Sequence, residues 1–173
     1  MRIRRAQKQD VAAVHAIIEA YAVQGVLLPR TWEQVERGIG NYLVAADAGR
    51  VVGCVAVESY GASLAEIRSL AVAPGARGAG TGGKLLDAAM KQAKRRKIGR
   101  LLSVTGSTGF FERHGFRRLR GGMPAEKVER DCAHCSKAAT CRLEALAIDL
   151  APAHRVLTVL QPGRLPVAQP ATA

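Results

Sequence analysis

Residues 66 to 83 read Glu-Ile-Arg-Ser-Leu-Ala-Val-Ala-Pro-Gly-Ala-Arg-Gly-Ala-Gly-Thr-Gly-Gly, and they carry the clearest chemical signal in the chain. A strand-forming stretch meets Pro74, and a loop containing Arg77, Gly78, Gly80, Gly82 and Gly83 then opens a helix. The first amides of a helix lack intrahelical partners and carry partial positive charge, so bare backbone there suits a pyrophosphate. Side chains would hold the phosphate oxygens away from those donors. Two familiar phosphate loops do not fit. Lys84 is followed by Leu85, not by the Ser or Thr that a P-loop offers to magnesium. Gly78 to Gly83 has the glycine spacing of a dinucleotide turn, but no acidic residue lies between Asp87 and Glu112 to meet a ribose. A plain strand–helix turn is the competing reading; Arg77 and the amphipathic helix that follows favour a site.

A second group is Cys132, Cys135 and Cys141, with His134 inside the Cys-x-x-Cys. Three thiolates completed by His134, Asp131 or water could hold zinc in a tetrahedral site. A zinc ribbon would show a second Cys-x-x-Cys, which is missing, so three ordinary thiols or one reversible disulfide stand beside the metal reading. Cys54, within Val-Val-Gly-Cys-Val-Ala-Val, reads as a small buried residue.

The Arg-x-x-Gly-x-Gly spacing of Arg77, Gly80 and Gly82, after Leu-Ala-Val-x-Pro, resembles the acetyl-CoA loop of the GNAT acetyltransferase superfamily. Met1 to Asp10 looks like its first strand and helix entry, and Phe111-Glu112-Arg113-His114-Gly115-Phe116 resembles its late Tyr-Glu-Lys-x-Gly-Phe signature. Within it, Gly25 to Arg30, Ala65 to Val72 and Met123-Pro124-Ala125-Glu126-Lys127 resemble stand-alone N-acetylglutamate synthases, over roughly residues 1 to 150. The resemblance implies an α/β (α+β) single domain with a mixed, mostly antiparallel sheet flanked by helices. It implies acetyl-CoA held by Leu70, Ala71, Val72 and the loop residues Arg77, Gly78, Ala79, Gly80, Thr81, Gly82 and Gly83. The implied acceptor is L-glutamate, giving N-acetylglutamate for arginine biosynthesis. The same fold could instead acetylate another amino acid, small amine or protein N-terminus, or serve as a non-catalytic acyl-CoA or metal-sensing module.

Acetyl transfer needs a deprotonated amine, a polarised thioester carbonyl and a departing thiol. Glu66 lies on the strand feeding the loop, and regular alternation puts it on the face of Leu70. The resemblance carries to Glu66 the role of general base; the competing role is structural partner of Arg68. It points to a backbone N–H around Leu70 for the carbonyl oxygen. The superfamily's general-acid tyrosine falls at Phe111, which has no hydroxyl, so Thr105 and Ser107 are the nearby alternatives. Two substrate carboxylates call for cationic clamps, preferably arginine. Arg30 matches the family position, and Arg68 and Lys127 are the next candidates.

The elements that must position these residues are legible. Arg2 to Ala6 reads as a strand, Asp10 to Val23 as a helix with Val11, Val14, Ile18 and Tyr21 at helical spacing, and Trp32 to Ile39 as a helix capped by Thr31. Tyr42 to Ala46 and Arg50 to Val57 form a hairpin around Asp47-Ala48-Gly49. Leu64 to Val72 is the central strand, Thr81 to Lys97 the strongest helix, and Leu101 to Thr105 a strand. A short helix over Thr108 to Arg113 and strands over Phe116 to Leu119 and Leu143 to Leu150 follow. From Ala151 onward Pro, Ala and Gly dominate, which reads as a flexible or draped tail over 151–173.

A chain of 173 residues, 48% hydrophobic, fits one domain with an ordinary core. No apolar run is long enough to span a membrane, and the polar start gives no secretory signal, so a cytoplasmic setting is expected. The 26 basic against 14 acidic residues, net +12, invite a nucleic-acid reading. The densest cluster, Lys91 to Arg100, sits at a helix C-terminus, where cations are favoured, and only 4% aromatic residues leave few platforms for bases. Small anionic molecules are the simpler partners, with no dedicated nucleic-acid partner; a homodimer stays open.

Overall fold

The computed structural model describes residues 1–135 and 138–150, so the expected tail over 151–173 lies outside the described residues. Seven strands form one sheet: β1 (Arg2–Arg5), β2 (Tyr42–Asp47), β3 (Arg50–Ser59), β4 (Leu64–Val72), β5 (Arg100–Thr105), β6 (Arg117–Arg118) and β7 (Glu144–Asp149). Their order is β1-β2-β3-β4-β5-β7-β6. Every pairing is antiparallel except β4 with β5, and parallel neighbours need a crossover. The helix α3 (Thr81–Arg95) provides it.

Both faces of the central strands are apolar and both are covered. On one face α1 (Val11–Ala22) and α2 (Trp32–Gly38) pack Val14, Ile18, Tyr21 and Val35 against Val44, Cys54, Ala56 and Ala71. On the other, Leu85, Leu86, Ala89 and Ala93 of α3 meet Val55, Val57, Ile67 and Leu101. Burial pushes the Cys54 thiol up to about 12, in keeping with an unreactive core residue. Among the described residues no helix is long and apolar enough to cross a membrane.

Local chemistry sets the element ends. The β2–β3 turn puts Ala48 and Gly49 at φ 45° and 79°, the mirror-image turn whose twist suits a hairpin. Thr31 and Gln34 cap α2 reciprocally, side chain to backbone, at 3.3 and 3.0 Å. The α3 helix stops at Arg95, two residues before the expected end. Lys97 turns left-handed at φ 60°, and the amides of Lys97 and Ile98 bond back to Lys94 and Ala93 at 3.0 and 3.1 Å.

Two features depart from regular alternation. Arg68 faces Ala56 and Ala71 faces Cys54, so Ser69 and Leu70 together oppose Val55. This bulge, with Ser69 at φ 48°, reverses the side-chain parity of β4. Glu66 and Arg68 therefore lie on the α1 side, whereas Leu70 packs with the α3-side core. The expectation of one shared face for Glu66 and Leu70 is corrected by that extra residue. The second feature is a split: among the described residues β4 and β5 pair only from Leu64–Arg100 to Ile67–Ser103, and the rest of β4 pairs with no strand on that side.

Candidate active site

The glycine loop lies where β4 ends. A short turn over Pro74–Ala76 leads into it, and Gly78 and Gly80 take φ 84° and 70°, with Gly80 the residue just before α3. A Cβ at either glycine would meet nothing within 4 Å, so backbone geometry and an open outer face account for both. Gly82 and Gly83 differ. Their added Cβ atoms would point inward, at Gly83 to His114 Nε2 at 3.0 Å, which makes it a packing position, and at Gly82 to the Phe110 ring at an ordinary 3.7 Å. The first helical bond runs from the Lys84 amide to the Gly80 carbonyl at 3.1 Å, and among the described residues the amides of Gly78 to Gly83 donate to no backbone carbonyl.

Arg77 serves the loop through its side chain. Its Nε and Nη2 donate to the Tyr21 hydroxyl at 2.8 and 2.5 Å, and that hydroxyl donates to the Val72 carbonyl at 2.5 Å. The guanidinium also lies over the Tyr21 ring, 5.0 Å from its centre. The loop, α1 and the end of β4 are thus tied at one phenol.

Beside the split lies a cavity of about 310 Å³. Its walls are β4 around Glu66 to Leu70, β5 from Ser103 to Thr105, the α1–α2 loop from Gly25 to Arg30, and the stretch from Met123 to Leu143. The Ser69 carbonyl accepts the Cys54 thiol of β3 at 3.4 Å. Because a trans peptide points its C=O and N–H in opposite directions, the Leu70 N–H is aimed away from the Cys54 thiol. Thr105 lines the cavity, and its Oγ1 accepts the Ser107 amide at 2.9 Å. Phe111 also lines it and is buried, a ring without a hydroxyl where the family signature has tyrosine.

Glu66, only 3% exposed, anchors the inner wall. Its Oε2 accepts from Arg68 Nε at 2.6 Å, Lys127 Nζ at 2.9 Å and the Tyr60 hydroxyl at 2.5 Å. Asp131 Oδ2 shares the same donors: Lys127 at 3.1 Å, Tyr60 at 2.5 Å, and an Arg68 Nη2 contact. The single Tyr60 proton serves one carboxylate at a time. Two cations and two anions leave this cluster neutral, the arrangement that makes buried charge tolerable. Burial opposes ionisation of Asp131, but Tyr60, Arg68 and Lys127 outweigh it and hold the carboxyl below its usual range. Burial, then the Glu66 carboxylate, pushes the Tyr60 hydroxyl well up. Among the described residues Glu66 makes no hydrogen bond through Oε1, so one oxygen can still take a proton.

These contacts revise the expected substrate clamps. Arg68 and Lys127 are already held by Glu66 and Asp131, so the sequence reading of Arg68 as a partner of Glu66 describes the observed pair. Arg30 and Arg142 also line the cavity, and among the described residues neither makes an ion pair. Arg142, Tyr60 and the ion-pairing role of Asp131 escaped the sequence reading. Only the four-residue spacing of Lys127 and Asp131 hinted at the last. Lys127 and Asp131 sit on the short helical turn Ala125–Lys127 and the wide helical turn over Val128–Cys132, a segment with too little apolar periodicity to announce itself, whereas Tyr60 follows β3 and Arg142 precedes β7.

The zinc expectation is not supported. Cys132, Cys135 and Cys141 are free thiols lining the cavity, and among the described residues no three His, Cys, Asp or Glu side chains gather into a metal-holding group.

Comparison with known proteins agrees with this architecture. Residues 38–118 match the acetyltransferase (GNAT) domain family. An uncharacterized N-acetyltransferase of Chlorobaculum tepidum is 34% identical over 139 residues, covering 80% of this chain and 90% of its own. An amino-acid acetyltransferase of Mycobacterium tuberculosis is 33% identical over 134 residues, covering 75% and 76%. Among solved structures, a Mycobacterium tuberculosis protein in complex with CoA and NLQ superposes with a TM-score of 0.76 at 27% identity, over 87% of this chain and 100% of that one. N-acetylglutamate synthase of Neisseria gonorrhoeae, complexed with coenzyme A and N-acetyl-glutamate, gives a TM-score of 0.77 at 28% identity, over 87% of this chain and 35% of the larger protein. With most of two acetyltransferases matched at a third identity, the chain belongs to the GNAT acetyltransferase family.

Proposed function

We propose that this enzyme transfers the acetyl group of acetyl-CoA to the α-amino group of L-glutamate, forming N-acetylglutamate, a step that would serve arginine biosynthesis in the cytoplasm. The observation that carries the reading is one cavity lined by the buried Glu66 and by two arginines, Arg30 and Arg142, without ion-pair partners among the described residues. Two cations suit a substrate with two carboxylates. Named relatives that are amino-acid acetyltransferases, and a fold neighbour holding N-acetyl-glutamate, support the same acceptor.

In this reading the pyrophosphate of acetyl-CoA rests on the amides from Gly78 to Gly83, and the pantetheine runs past Leu70, Ala71 and Val72 into the split between β4 and β5. Glu66 Oε1, directly or through a water, takes a proton from the substrate ammonium. The amine then attacks the thioester carbon, and negative charge on its oxygen meets the Leu70 N–H. As the tetrahedral species collapses, the C–S bond breaks, the extra proton on the nitrogen passes through water to the departing sulfur, and CoA leaves as the thiol. Thr105, whose oxygen accepts the Ser107 amide, keeps its own proton available to hydrogen-bond that sulfur.

Acetyl-CoA consumption across a panel of amino acids, with product masses, tests the acceptor. Glutamate should exceed glutamine and aspartate by about tenfold or more in kcat/KM, the scale set by leaving an arginine of the closed complex unpaired. Equal turnover of neutral amines would overturn the glutamate assignment. The cofactor placement has its own test by calorimetry. Gly80→Val forces a branched residue to positive φ, which costs about 1–3 kcal/mol, so acetyl-CoA affinity should fall about tenfold or more. Gly82→Ala, whose Cβ makes an ordinary 3.7 Å contact with Phe110, should bind nearly as the parent does.

A further inference from the structure

Of the three thiols on the cavity wall, two are arranged to meet. The Cys135 amide donates to the Cys132 carbonyl at 3.1 Å, closing a tight turn. A turn of this kind keeps its first and fourth Cα atoms within about 7 Å, and a disulfide bridges Cα separations of about 4.4–6.8 Å. Both cysteines are half-buried and both line the cavity. Cys141 lies two further turns along, is exposed, and shares no such turn with either.

The position of the pair gives it leverage. Cys132 directly follows Asp131, which shares Arg68, Lys127 and Tyr60 with Glu66. The wide helical turn over Val128–Cys132 carries both Asp131 and Cys132. A new bond at Cys132 therefore acts one residue away from the ion-pair cluster that orients Glu66, in the wall of the cavity that Arg30 also lines.

We propose that Cys132 and Cys135 form a reversible dithiol–disulfide site that responds to low-molecular-weight disulfides and, when oxidised, impairs use of the acceptor amine. The proposal rests on the reading of this cavity as the acceptor site. Burial pushes the Cys132 thiol above its ordinary range, which disfavours Cys132 as the first nucleophile. The Cys135 thiolate attacks one sulfur of the small disulfide, and a small thiolate leaves. Cys132 gives its proton to solvent and attacks the Cys135 sulfur, expelling the second small thiolate. Two protein thiols are oxidised by two electrons, and one small disulfide is reduced to two thiols.

Oxidised glutathione is the probe. Treated full-length protein should lose two hydrogens by intact mass, with digestion locating the bond between Cys132 and Cys135. Acceptor kcat/KM should fall by at least about tenfold while KM for acetyl-CoA stays within about twofold, because misplacement is confined to the acceptor side. Dithiothreitol should reverse both changes. Cys132→Ser and Cys135→Ser, each compared with its own reduced state, should lose the response, and Cys141→Ser should keep it. A glutathione adduct without an internal bond, an internal bond with unchanged kinetics, or a response persisting in Cys135→Ser would each overturn the proposal. The mass readout does not depend on the acceptor, and the kinetics are run with whichever amine the panel selects, so failure of the glutamate reading is distinguishable from failure of this one.

Discussion

Glu66→Gln is expected to lower kcat for acetyl transfer about 100-fold or more near neutral pH, the lower end of the range for general-base assistance. The loss should shrink as pH rises, because solvent then supplies free amine without the enzyme's help. The structure adds a second effect to this substitution. Glu66 neutralises a buried cluster of two cations and two anions, so a neutral glutamine leaves excess positive charge among Arg68 and Lys127. Breaking one partner of a buried pair commonly destabilises by about 3–5 kcal/mol, which a thermal melt reads as a lowered Tm. The double variant Glu66→Gln with Lys127→Met separates the two contributions. It restores charge balance, so Tm should recover much of its loss while kcat stays low. Recovery of kcat along with Tm would mean that Glu66 acts only as a structural counter-ion.

Arg30→Ala should raise KM for glutamate about 30-fold or more, since removing one partner of a desolvated charge pair costs about 2–5 kcal/mol. KM for acetyl-CoA, whose proposed loop follows β4 and does not include Arg30, should stay nearly unchanged. Arg30→Lys should recover only part of the loss, because a lysine cannot make the two-pronged carboxylate contact. Steady-state kinetics with each substrate varied in turn reads all three. An unchanged KM for glutamate in Arg30→Ala would move the clamp to Arg142 or remove it.

The parts of this protein that follow local rules were legible in its sequence. The α3 helix shows its apolar stripe, the β2–β3 hairpin its turn residues, and the strand–helix loop its glycines, each a property of residues close together in the chain. The cavity around Glu66 resists such reading for two physical reasons. Its ion-pair cluster joins Tyr60 and Glu66 to Lys127 and Asp131, and no local periodicity records a contact across more than sixty positions. The Ser69 bulge adds one residue to β4, and a single added residue inverts every later side-chain assignment on that strand. The glycines teach a similar lesson. Gly80 and Gly83 look alike in the sequence, yet one serves backbone conformation and the other makes room for His114.

The phenol of Tyr21 decides when disorder is lost. Fixing one residue of backbone costs about 1–2 kcal/mol in conformational entropy, and a glycine-rich segment has the most freedom to surrender. Left loose, the loop from Gly78 to Gly83 would meet that cost each time a ligand settled on its amides. Arg77, pinned to Tyr21 and through it to the Val72 carbonyl, restricts the loop's entry while the chain folds. Part of the ordering thus belongs to folding, where hydrophobic burial opposes it once, and that part is no longer subtracted from affinity at every turnover.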